Sequence, residues 1–398
     1  MPVRQRNILI ASALALAALV LALLVVPRAA PASVATSPSP SATPTSAASA
    51  SPTSPGATPT AAAAGTGDPA AGGYGYVVIG GGGLAIVDES GKTIQQHACG
   101  VPGRGCGQQL VAVSPDGRRV AFWRAGQGSR WELATFEAAT PANVRGVATL
   151  LEGMEGQTVL WANDSRGLLF SAQTEGYGGI RGGPGKATIS GLDATTPASA
   201  VEVLPARTDG FFYVPVAWDR AKDIVAAVTT GEGGFLVEYV VKVGGRTTAT
   251  RAEAGQFGAF RVLASPDSAR VLTSDGSTNT LQIWPVTDFG ARFKANPGTN
   301  VPRITGALWR TSSEIAWSYG DRLDVFILQS EGTKMVYTAP GVRLVALRPD
   351  GSAALVASGG QPNVSAGMFI VDIATGKATS LGAMDVAQVV VPRGVLLR

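Results

Sequence analysis

The chain has 398 residues, 45% hydrophobic and only 15% charged, with 51 glycines, 25 prolines, two cysteines, one histidine and a formal net charge of +4. Arg4, Arg6 and Arg28 against Asp68 account for +2 of that charge, so +2 remains on everything after residue 73. This balance gives no support to a nucleic-acid partner, for which a basic face is expected, and a single histidine excludes a His-rich metal centre.

In chain order, the first element is an apolar helix. Arg4 and Arg6 precede Ile8 to Val26, whose only polar member is Ser12. At about 1.5 Å per residue this run spans roughly 28 Å, close to a bilayer core. Residues 1–26 are therefore expected to be an uncleaved single-pass signal anchor, with its positive charges inside and the C-terminal domain outside the cytoplasm. The alternative is a signal peptide cleaved after Ala32 or Ala35 and a secreted product. Residues 27–73 are almost entirely Pro, Ala, Ser, Thr and Gly, which cannot bury enough apolar surface to fold. They are expected to form a disordered tether reaching between roughly 38 Å as a coil and roughly 145 Å as a polyproline helix.

Residues 74–398 read as β-structure throughout: Val, Ile, Thr and aromatic residues fill short apolar runs, and none sustains helical periodicity. Cys99 and Cys106 bracket a six-residue loop, and a disulfide there is expected to contribute about 2 to 3 kcal/mol in the chain-entropy model. A phrase then recurs: Val113-Ser114-Pro115-Asp116-Gly117, Ala264-Ser265-Pro266-Asp267 and Leu347-Arg348-Pro349-Asp350-Gly351, each followed by a second apolar run. Apolar run, tight turn and apolar run make a hairpin. Weaker copies place Asp164, Arg220 and Thr311 opposite Asp116, giving spacings of 48, 56, 47, 44 and 39 residues between successive turns. That is the period of a four-stranded propeller blade. A further unit begins at Val389 to Leu396, while Tyr76 to Ile79 and Leu84 to Asp88 read like its later strands. The expected fold is all-β, a seven-bladed β-propeller closed by strands from both ends of the domain, with six blades as the alternative.

These turns and their period resemble the WD40-like propellers of the bacterial TolB type, over Tyr74 to Arg398. Two copies keep Pro-Asp-Gly intact, and Ser268 replaces the glycine in a third. The resemblance implies a fold and a broad tendency to bind other proteins. It transfers no catalytic residue.

Enzyme motifs fail on context. Gly80 to Ala85 resembles a dinucleotide fingerprint, but a strand follows where a helix is required. Gly183-Pro184-Gly185-Lys186 has Ile180 where the first P-loop glycine belongs, and no Gly-x-Ser-x-Gly elbow occurs. A Ser-His-Asp triad would have to be built on His97. Asp116, Asp164, Asp267 and Asp350 are expected to form turns, and Trp161, Trp218 and Trp309, which sit at comparable places in the innermost strands or just after them, to pack in the core. No catalytic residue, metal or cofactor is expected.

Loop length points to the working surface. The first-to-second strand turns are short, whereas the long segments lie on the opposite face, where scaffold folds carry function. The expected binding residues there are Tyr177, Ile180, Arg181 and Lys186 on the 171–187 loop, Arg104 in the disulfide loop, and Arg124 and Arg130. The expected function is a non-catalytic, membrane-tethered, monomeric propeller binding a protein or cell-envelope partner. The alternative is a hydrolase or lactonase using a carboxylate-bound cation in the central channel.

Overall fold

The computed structural model describes residues 76–384, apart from 81–82, 88–91, 102–104, 108–109, 178–184, 197–198, 231–235, 252–261, 276–279, 296–303 and 360–365. The expected apolar helix, the linker and the closing segment Val389 to Leu396 lie outside the described residues. No helix among the described residues is long and apolar enough to cross a membrane.

The described elements are strands, with one 3-10 turn at Gln127–Ser129. They form seven antiparallel sheets in chain order, six of four strands and a first of three. Each is called a blade here: blade 1 spans 76–98, blade 2 111–149, blade 3 154–207, blade 4 212–251, blade 5 262–295, blade 6 304–338 and blade 7 343–384. The first strands of blades 2 to 7 stand beside one another in sequence.

The apolar runs look continuous because the inner strands are buried on both faces. In the second strand of blade 3, Gly167–Thr174, side chains alternate: Leu169 joins Leu160, Val225 and Ala227 toward blade 4, while Leu168 and Phe170 join Trp123, Leu133 and Trp161 toward blade 2. Fourth strands lie at the rim, and Arg246–Arg251 is exposed along its whole length.

The ring is closed by packing. Val87 and Ala85 of blade 1 share a cluster with Val345, Leu355, Ala357 and Met368 of blade 7, while Val77, Ile79, Leu84 and Ile86 pack with Val111 and Phe122 of blade 2. Blade 1 therefore touches both its neighbours, which favours seven blades over six. Strand direction also shows which part of blade 1 the described strands form. Tyr76–Gly80 is antiparallel to Gly83–Val87, and Thr93–Ala98 leads to the start of blade 2, so Tyr76–Gly80 runs in the direction of a second strand.

The recurring phrase forms a six-residue turn in blades 2, 3, 5 and 7. Ser114 Oγ donates to Asp116 at 2.5 Å and accepts from the Arg119 N–H at 2.9 Å. Ser265 repeats this with Asp267 and Arg270 at 2.6 and 2.9 Å. Asp164 accepts from the N–H groups of Arg166 and Gly167, and Asp350 from that of Ser352, so these carboxylates act as turn formers. The repeat alignment needs correction in blades 4 and 6. Trp161 pairs with Leu168, Trp218 with Val225 and Trp309 with Ile315, as Val113 pairs with Val120. Counted from these pairs, Ala221 and Ser312 stand where Arg220 and Thr311 were placed.

Candidate functional site: an axial cavity on the turn face

The corrected register brings one position of each repeat together. Val113, Trp161, Trp218, Ala264, Trp309 and Leu347, from blades 2 to 7, all line a single cavity of about 110 Å³. Six separate sheets share a cavity only where their first strands converge, so it lies on the ring axis, at the end that carries the short turns. Pro115, Pro266, Pro349, Asn163, Ser265 and Ser268 complete its mouth.

The walls are held from the side. Trp161 Nε1 donates to the Ala112 carbonyl at 3.1 Å, and Trp309 Nε1 donates to that of Leu263 at 3.0 Å. Each bond crosses to the preceding blade, so these rings are inter-blade wedges as well as cavity wall. Trp218 wedges against blade 3, where a Cβ on Gly167 or on Gly191 would come within 2.7 Å of its ring. Arginines staple the same face: Arg119 Nη1 donates to Ser165 O at 3.1 Å, Arg270 Nη1 to Ser312 O at 3.0 Å and Arg310 Nε to Gly351 O at 2.9 Å. Between blades 3 and 4, Arg220 bonds both Asp164 at 2.9 Å and Asp193 at 3.0 Å. Burial opposes ionisation of Asp193, but hydrogen bonds from Thr195 and Arg220 prevail and hold it down to about 2.

Among the described residues, the titratable side chains lining the cavity are Arg310 and Arg348, and none is a carboxylate. Arg310 is ion-paired with Glu314, and Arg348 lies in the field of Asp372. Ser265 offers a hydroxyl, but it already donates to Asp267. Among the described residues no group of three His, Cys, Asp or Glu could hold a metal ion.

His97 sits elsewhere, on the last strand of blade 1. Its ring is 5.7 Å from that of Phe122 and 4.9 Å from that of Phe136 at the seam with blade 2. Burial pushes its pKa down, the Pro141 carbonyl pulls it up and Arg124 adds to the lowering. Its Nε2 is buried with no hydrogen-bond partner, so no nucleophile is aligned on it.

Of the residues expected to form a binding surface, Tyr177, Lys186, Arg124 and Arg130 are described, and they lie toward the opposite face. Tyr177 is only 4% exposed, and its hydroxyl accepts from the Gly210 N–H at 2.8 Å, which makes it a brace between a loop and the next blade's approach. Lys186 is exposed beside it, its N–H bonded to Thr174 Oγ1 at 3.1 Å. Arg124 is paired with Glu132 at 2.7 Å and Arg130 with Glu152 at 3.5 Å. Ile180, Arg181 and Arg104 lie outside the described residues. The Cys99–Cys106 disulfide is formed, with Cα atoms 4.9 Å apart. Sequence reasoning missed the axial ring, whose signal was a tryptophan at one repeat position in three of six copies.

No protein-family model matches the chain, and no curated protein matches it in sequence. Solved structures do match. One is a prolyl endopeptidase, characterised for the role of inter-domain dynamics in catalysis and specificity, at a TM-score of 0.51 and 18% identity over 76% of this chain and 46% of that one. A puromycin-hydrolyzing peptidase of Mycobacterium tuberculosis matches at 0.50 and 15% identity, over 79% of this chain and 55% of that one. TolB of Acinetobacter baumannii matches at 0.38 and 15% identity, over 82% and 65%. This chain thus spans about half the length of the peptidases. The likeness is one of fold, and the finer assignment to WD40-like, TolB-type repeats has no matching family model behind it. The peptidase neighbours correct the expectation of a non-catalytic partner-binding protein, because the ring they share with this chain is one that occurs in hydrolases.

Proposed function

We propose that this chain is the propeller of a peptidase-type hydrolase and that its axial cavity seats a residue of an extended peptide. The observation that carries this reading is the cavity itself, ringed by one residue from each of six blades, in a fold shared with peptidases at TM-scores of 0.50 and 0.51. A concave, mostly apolar site with a few polar groups at its mouth is what ligand sites share. The Ser265 hydroxyl is engaged by Asp267 within its own turn and no histidine stands among the described lining residues, so we assign substrate seating to this cavity and cleavage to groups apposed to the turn face. The test is incubation of the purified full-length protein with a defined peptide pool, read by mass spectrometry. New termini are expected, and a pool left uncleaved overturns the reading.

We also place the propeller outside the cytoplasm. The apolar run 8–26, the 27–73 segment and a disulfide suited to an oxidising compartment support this. Retention in membranes after a high-salt wash is expected, and a soluble cytoplasmic protein with free thiols overturns the placement.

A further inference from the structure

Resting on that reading, we infer that the axial cavity selects peptides by one valine- or leucine-sized aliphatic side chain and rejects lysine, arginine and large aromatic residues at that point. Three features of the wall lead there. The ring is apolar, and its low point is Ala264, which stands between Trp218 and Trp309 of the flanking blades. A seat of about 110 Å³ suits one short side chain.

The seat does not widen easily. Trp161 and Trp309 are pinned by their bonds to Ala112 and Leu263, and Trp218 is pressed against two glycines that leave it no room to retreat. An incoming tryptophan or phenylalanine would have to break these bonds, and packed interiors do not yield that volume without strain.

Charge sets the second limit. A lysine or arginine side chain entering here would lose water and meet no carboxylate among the described lining residues. An acidic side chain fares little better, because the lining arginines are already engaged, Arg310 with Glu314 and Arg348 in the field of Asp372. An uncharged aliphatic group loses nothing on desolvation.

The experiment measures binding of the acetylated, amidated peptides Gly-Gly-Xaa-Gly-Gly to the full-length protein by ligand-observed NMR, with valine, leucine, lysine, glutamate and tryptophan at Xaa. Valine and leucine are expected to bind at least about tenfold more tightly than the others. Ala264→Leu, which fills the seat, should lose valine binding by a similar factor with an unchanged melting temperature. Should that variant not fold, Val113→Ala enlarges the seat instead and should move the preference from valine toward leucine. Equal binding of lysine and valine peptides overturns the inference, as does wild-type valine binding by a folded Ala264→Leu protein. Cleavage without preference at Xaa would leave the hydrolase reading standing and remove this one. Selective binding without any cleavage would do the reverse.

Discussion

The two faces of the ring are built on different plans. On the turn face one solution repeats: Ser114 and Ser265 close their turns with the same pair of bonds, Arg119 and Arg270 reach the next blade's turn in the same way, and Trp161 and Trp309 donate to the same place on the preceding blade. On the loop face each blade improvises. Tyr177 braces blade 3, Arg207 is clamped by Asp209 and Glu238 between blades 3 and 4, and in blade 6 the fully buried Asp324 takes Tyr319 and Arg322. Repetition around an axis produces a shared cavity, whereas improvisation produces separate braces. Among the described residues, the face that looked merely structural is thus the one where six blades share a cavity.

The comparison can be broken most severely at the wedges. Trp309→Ala removes a ring that is 8% exposed together with its bond to blade 5, and should cost about 3 to 5 kcal/mol in urea unfolding. Arg124→Ala, which deletes a partly exposed pair on the loop face, should cost less than about 1 kcal/mol. Equal losses would mean that the turn-face wedges do not hold the ring. Next in size, Tyr177→Phe leaves the Gly210 N–H without its acceptor and should cost about 1 to 2 kcal/mol. A variant that melts like the parent would show the brace to be dispensable.

Acid should separate two regions by pH. His97 has a lowered pKa in the folded ring, so the folded state binds fewer protons than the unfolded one just below pH 6.5. Its contribution is present above that value and is lost as pH falls toward the folded pKa, loosening the seam of blades 1 and 2. Asp193, held at about 2 against a usual value of 3.8, contributes above pH 4 and fades as pH falls through 2. Hydrogen exchange at pH 5 should show faster opening at blades 1 and 2 while blades 3 and 4 stay protected. His97→Gln should remove the mild-acid component, and a pH profile unchanged in that variant would refute the assignment.

Much of this architecture could be read from residues. The Pro-Asp-Gly phrase and its spacing gave the blades, and Cys99 with Cys106 gave the disulfide, because turns and cross-links are local. The axial ring was hidden by residue type. Trp161, Trp218 and Trp309 were legible at comparable places, but a tryptophan in an inner strand reads first as core, and nothing local says that its edge also faces an axis. Register added a smaller error: in blade 6 the irregularity between Trp309 and Thr311 falls between the tryptophan and its turn, so a position counted from one to the other slips there. Loop length, the other cue, measures tolerance to insertion and pointed to the face opposite the axial cavity.

The smallest expected effect tests how strictly the turn-face plan is kept. The fourth turn residue is left-handed in all four regular turns: Gly117 at φ +69°, Ser165 at +56°, Ser268 at +55° and Gly351 at +70°. Glycine adopts this conformation freely, whereas a residue with a Cβ is strained there. Ser165 has a compensating role, since its hydroxyl accepts from the Asp116 N–H at 3.1 Å across the seam. Ser268 has no such bond among those described, and its N–H already donates to the Ser265 carbonyl at 2.8 Å, which glycine preserves. Ser268→Gly should therefore stabilise the ring by a few tenths to about 1 kcal/mol, the relief of strain exceeding the added freedom of the unfolded chain. Ser165→Gly should gain less or lose, because the seam bond goes with the strain. If both serines respond alike to substitution, the cross-seam bond of Ser165 contributes nothing, and the turn face is held by its wedges and arginine staples.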